Sequence, residues 1–94
     1  MKLIRDKIPE IMQKDGKTAK THIATEEEFK HLLIMKLIEE AHEFKLKPSA
    51  EELGDVLEVV HAISKEYGGF DKVDDVRKTK AADRGSFTKR IVLE

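Results

Sequence analysis

Five carboxylates crowd one short stretch of this chain: Glu39, Glu40 and Glu43 close one apolar run, and Glu52 and Asp55 open the next. As a pattern, E-E-x-x-E is followed, across a connection containing Pro48, by E-x-x-D. Oxygen-only side chains at helical spacing suit a hard divalent cation, Mg²⁺ or Mn²⁺. A carboxylate left free beside such an ion can take a proton from water, which is the chemistry of metal-assisted hydrolysis. The competing explanation is a solvated surface. On that view Glu52 is only a capping residue, worth about 1 kcal/mol, and Lys36 pairs with Glu39 or Glu40 for about 0.3 kcal/mol.

Caps and breakers define the elements that carry these acids. Residues 1–24 read as irregular, punctuated by Pro9 and Gly16, with "KLI" as a short extended piece. Thr25 and Glu28 form a capping box, and the run from Phe29 to Phe44 has no Gly or Pro, so a helix is expected over 26–45. Pro48 disfavours helix at Lys47, and Ser49 caps a second helix with Glu52 at its third position. That helix should end near Tyr67, before Gly68 and Gly69. "DKVDDVRKTKAA", residues 71–82, reads as a third, shorter helix closed by Gly85, and "SFTKRIVLE" as an extended tail beside the N-terminal "KLI".

A helical wheel at about 100° per residue sorts the acids. With Glu39 at zero, Glu43 falls at about 40° and Glu40 at about 100°, flanking an apolar face (Leu33, Phe44, Leu37, Ala41, Ile34, Ile38) at about 120° to 260°. With Asp55 at zero, Val59, Ile63, Val56, Val60, Leu53 and Leu57 span about 40° to 200°, and Glu52 lies at about 60°, inside that apolar arc. Solvated acids avoid such a position, because an unpartnered buried carboxylate takes up a proton instead. Glu58, at about 300°, is where an ordinary surface acid belongs. Two antiparallel helices joined by a short turn would bring both acidic stripes to one end of their interface, where a cation can neutralise them.

Composition bounds the rest. Ninety-four residues make one domain, 1–94, and 39% charged residues with four Phe and one Tyr leave a modest core. A second copy would complete it. The expected fold is therefore all-α: an antiparallel helix pair plus a third shorter helix, assembling into a multi-helix bundle as a homodimer or higher homo-oligomer. Eighteen Lys and Arg against 19 Asp and Glu create no global field for a nucleic acid polymer or an anionic membrane. The absence of Cys excludes a disulfide scaffold, a thiolate metal site and a thiol nucleophile. With no signal-like or membrane-length apolar run, a cytoplasmic location is expected.

"KLIRDKIPEIM" at the start, the two acidic motifs in the middle and "DRGSFTKRIVLE" at the end together resemble the MazG-like all-α nucleoside triphosphate pyrophosphohydrolases, in their phosphoribosyl-ATP pyrophosphohydrolase-like branch. The likeness spans nearly the whole chain. It implies that Glu39, Glu40, Glu43, Glu52 and Asp55 are Mg²⁺ ligands or the base that orients water. The implied reaction is cleavage between the α and β phosphates, giving a nucleoside monophosphate and pyrophosphate. A triphosphate also needs cations, and Arg5, Lys7, Arg84, Lys89 and Arg90 are the candidates, Arg being suited to bidentate phosphate contacts. Two features depart from the family pattern: only eight residues separate Glu43 from Glu52, and Ser86 stands where a second Gly is more usual.

Two other functions compete. Glu39-x-x-His42 and Glu58-x-x-His61 match the spacing of di-iron bundles, but Glu58 and His61 fall off the apolar face of the wheel, and His22, His31, His42 and His61 read as ordinary polar or boundary residues. The non-enzymatic alternative is a dimeric helical interaction module with "LGDVLEVVHAI" as its seam.

Overall fold

A computed structural model describes all 94 residues, and every regular element in it is helical. Helix α1 covers Ile8–Lys14, α2 Glu26–Leu46, α3 Ala50–Ser64 with a 3₁₀ turn at Lys65–Tyr67, and α4 Phe70–Arg84. No helix is long and apolar enough to cross a membrane.

Helix α2 starts where Thr25 Oγ1 accepts the Glu28 N–H at 3.2 Å. Only half of the expected capping box forms, because the Glu28 carboxylate meets His22 Nε2 at 2.7 Å, tying the preceding loop to the helix. Pro48 interrupts the chain after Leu46, and Ser49 Oγ accepts the Glu52 N–H at 3.1 Å to open α3. Three residues, Lys47–Ser49, thus separate the two longest helical segments, and α2 and α3 pack on each other. At the far end, Ser64 Oγ donates to the His61 carbonyl at 2.7 Å, and the chain turns through Gly68 and Gly69, at φ 93° and 94°. The Gly69 N–H closes the turn on the Ser64 carbonyl at 2.9 Å.

Three expectations are corrected. Helix α1 falls in the stretch read as irregular: Pro9 starts a helix there instead of breaking one, since a first-turn proline lacks only an N–H that would be unsatisfied anyway. Helix α4 is no shorter than α3, both having 15 residues. Its length rests on local charge, with Asp74 bonded to Arg77 at 2.7 Å and near Lys78 at 3.4 Å, pairs that add about 0.2–0.5 kcal/mol each to a helix. Finally, "KLI" and the tail form no strand, as an isolated two-stranded pairing is marginal in water; Phe87, Ile91, Val92 and Leu93 are exposed.

The core is small. Leu33 (4% exposed), Val59 (8%) and Ser64 (2%) are its buried residues. The apolar face expected on α2 is divided: Leu33, Phe44 and Leu37 are buried or half-buried, whereas Ala41, Ile34 and Ile38 are exposed. On α3, Val59, Ile63, Val56 and Val60 are sheltered, and Leu53 and Leu57 are exposed. The radius of gyration is 16.8 Å, against about 12 Å for a compact domain of this length. Accessible surface totals 8684 Å², where a compact monomer of this mass exposes about 5,500 Å².

The two kinds of glycine give opposite expectations. A Cβ on Gly68 would meet Lys72 Cγ at 3.0 Å in a left-handed backbone, so Gly68→Ala should lower stability by about 1–2 kcal/mol. Gly54 lies inside α3 with open space around it, so Gly54→Ala should raise stability by about 0.5–1 kcal/mol. Urea unfolding followed by far-UV circular dichroism reads both, and effects of the same sign would refute the turn assignment.

Candidate functional site

The short Lys47–Ser49 connection and the packing of α2 on α3 decide which acids meet. Glu40 of α2 and Glu52 and Asp55 of α3 each direct a carboxylate oxygen into one group whose members lie within 4.8 Å of one another. All three are half-buried. The donor chemistry fits a hard ion such as Mg²⁺, whose adjacent octahedral ligands stand about 3.0 Å apart at bond lengths near 2.1 Å, so the three carboxylates would draw together around it.

The other two acids relate to this group differently. Glu43 is exposed, near enough for its charge to act on Glu52. Glu39 is 3.6 Å from Lys36 Nζ, and the same ammonium lies 3.4 Å from Glu40 Oε1. The Lys36 side chain is only 18% exposed, unusual for a lysine. The i, i+4 spacing to Glu40 announces the pair in the sequence, but not that the ammonium is sheltered beside the acidic group.

A second cation comes from far along the chain. Arg5 Nη2 donates to Asp55 Oδ1 at 2.8 Å, across 50 positions of sequence. Of the other expected phosphate-binding residues, Lys7 precedes α1, Arg84 ends α4, and Lys89 and Arg90 lie in the exposed tail. None of these four takes part in an ion pair of the chain.

Electrostatics single out Glu52. Partial burial raises its pKa above the ordinary 4.5, and the charges of Asp55, Glu43, Glu40 and Glu51 push it further in the same direction. Glu58, outside the apolar arc of α3, is exposed. The histidines take no part in the group: His61 stacks on Phe70 with ring centroids 3.7 Å apart and planes at 10°, and His22 is paired with Glu28. A His-containing di-iron arrangement therefore has no counterpart in the acidic group.

Comparison with family models, with curated proteins and with solved structures finds no match.

A raised carboxylate pKa makes the fold favour protonation. The stability this confers is fully present below pH 4.5, the ordinary value, and is lost as pH rises through the folded-state value. Glu52→Gln mimics the protonated acid at every pH. Without divalent ions, its stability relative to the unsubstituted protein should therefore increase as pH rises from 4.5 toward 7. Thermal unfolding in chelator across that range measures the difference, and parallel profiles for the two proteins would contradict it.

Proposed function

We propose that the protein is a metal-dependent nucleotide pyrophosphohydrolase of the MazG-like kind, cleaving a nucleoside triphosphate or a phosphoribosyl-ATP-like nucleotide between its α and β phosphates. The observation that carries this reading is the meeting of Glu40, Glu52 and Asp55 within 4.8 Å, with Arg5 anchored on Asp55. Like charges so arranged repel, and a divalent cation among them would offset that repulsion.

Glu40, Glu52 and Asp55 would hold the ion, which supplies charge neutralisation at the phosphoryl oxygens and an acidified water. Glu43, whose charge acts on Glu52, is available to accept a proton from that water, and Glu39 is tied to the group through Lys36. Arg5 uses one of its five N–H donors on Asp55 and has others for a phosphate oxygen. Lys36 offers a second positive charge beside Glu40. Lys7, Arg84, Lys89 and Arg90 are cations without partners in the chain, and this reading gives them the outer phosphates.

The same reading includes assembly. An antiparallel α2–α3 pair is supported by Lys30 near Glu66 at 3.6 Å toward one end and the acidic group toward the other. One chain exposes about 3,100 Å² more than a compact monomer, and burying half of that on each of two copies would already reach the roughly 2,000–5,000 Å² total of an obligate interface. Ile34, Ile38, Leu53 and Leu57 form the exposed apolar flank that a second copy would cover. That flank equally favours a non-enzymatic dimeric interaction module, which would neither bind Mg²⁺ nor hydrolyse nucleotides.

Pyrophosphate release across a panel of nucleoside triphosphates and phosphoribosyl-ATP separates the two. Hydrolysis should occur for at least one substrate and fall by roughly 10²-fold in Glu52→Gln, with Glu58→Gln near the unsubstituted rate. Mg²⁺ should raise the melting temperature, and Glu40→Gln with Asp55→Asn should abolish that rise. No hydrolysis, with equal Mg²⁺ shifts in both proteins, would leave the carboxylates structural.

Sedimentation equilibrium at micromolar concentration should give at least a dimer, reduced to monomer by Ile38→Asp. A monomeric unsubstituted protein would overturn the assembly.

A further inference from the structure

A cavity of about 870 Å³ lies between residues 1–6, α1, residues 19–24 and the first turns of α2. Leu3, Ile4, Met12, Phe29 and Leu32 line it, and Arg5 stands in its wall. Its size falls in the range of about 300–1,000 Å³ of a small-molecule site, and its apolar side chains are interleaved with polar and charged ones, Arg5, Asp6, His22 and Glu26 among them. Its lining includes two aromatic rings, Phe29 and the His22 imidazole; His22 is held by Glu28, which leaves the partly exposed Phe29 (36%) as the ring for a flat ligand.

Two connections link this cavity to the acidic group. Arg5 belongs to both, lining the cavity while donating to Asp55. Along α2, Leu32, Lys36 and Glu40 are spaced four apart, so they share one stripe of the helix. That stripe starts in the cavity at Leu32, passes the sheltered Lys36 ammonium and reaches the acidic group at Glu40. The distance along the axis is about 12 Å at ~1.5 Å per residue. A molecule that follows it has an apolar, flat end, then a stretch of negative charge between two cations, then groups facing the carboxylates. A bare polyphosphate would leave the apolar part empty, and an anionic lipid would bring a headgroup for the cations but no flat ring for Phe29.

We infer that this cavity receives the base and ribose of the nucleotide, with the base stacked on Phe29 and the phosphates led out between Arg5 and Lys36. The inference rests on the hydrolase reading and adds where the nucleoside part of its substrate sits. Base selection then belongs to the N-terminal segment and α1, not to the helices that carry the acids.

Methyl-detected NMR of the full chain with Mg²⁺, titrated with each of the four ribonucleoside monophosphates and separately with inorganic pyrophosphate, tests it without requiring turnover. A nucleoside monophosphate should shift the methyl resonances of Leu3, Ile4, Met12 and Leu32, whereas pyrophosphate should leave them in place. Phe29→Leu should weaken that binding by about 5- to 100-fold, the scale of one lost base stack. Leu32→Trp, which fills the cavity, should abolish it while the Mg²⁺-induced rise in melting temperature persists. Should Leu32→Trp fail to fold, Phe29→Leu alone decides. Monophosphate binding that bypasses these methyls or is indifferent to Phe29→Leu, or no monophosphate binding at all, overturns the inference. Cavity shifts in a protein that hydrolyses no triphosphate would sink the hydrolase reading and leave the pocket standing; full hydrolysis of nucleotides by Leu32→Trp would do the reverse.

Discussion

The contact between α2 and α3 is the constraint on which everything else in this molecule depends. Leu33 and Val59 are its buried apolar residues, and the Lys47–Ser49 connection allows the helices little freedom to slide. Because side chains on a helix are fixed in angle by its 3.6-residue period, setting the position of Leu33 against α3 also sets that of Glu40. Glu52 and Asp55 follow, one turn apart at the start of α3. The acids meet because apolar side chains elsewhere on the same two helices are buried, so a defect in the seam would disperse the site without touching a carboxylate.

Only two side-chain links tie the N-terminal third to this pair: Arg5 to Asp55 and His22 to Glu28. Both arginine and histidine are more than half exposed, and exposed ion pairs contribute about 0–1 kcal/mol. The N-terminal segment is thus held weakly where polar contacts hold it, and its apolar residues border a cavity instead of filling a core. An anion that competes for Arg5 would weaken the link to Asp55 while satisfying the same guanidinium. Anchoring of this segment and charge at the acidic group are consequently coupled through one side chain.

Local signals in the sequence were reliable where a few adjacent residues decide the outcome. Thr25 and Ser49 cap their helices, Gly68 and Gly69 turn the chain, and the helix starts and stops they imply agree with the structure to within a few residues. Pro9 was ambiguous, because the same ring ends one helix and begins another, and α1 is too short for a periodic pattern to decide. The wheel identified apolar faces but not what covers them. It could not say that Leu37 would be sheltered and Ile38 left open, since that depends on the position of α3. Among the five acids, spacing put Glu52 in an apolar arc, where it is half-buried with a raised pKa. The association of Glu39 with Lys36, and of Asp55 with Arg5, required three-dimensional distance.

The exposed flank and the acidic group share the first turns of α3, with Leu53 about 100° and Leu57 about 140° round the helix from Glu52. An assembly that covers Leu53 and Leu57 and extends round the start of α3 would remove water from beside Glu52 as well. Loss of that water raises the cost of its ionised form further, and the cost is met either by a proton or by a cation. A divalent ion present at neutral pH would then bind the assembled form more tightly than the isolated chain. By reciprocity the same ion tightens the assembly by the same factor. The apolar flank and the carboxylates, which look like separate features of a small helical chain, would thereby act as one thermodynamic unit.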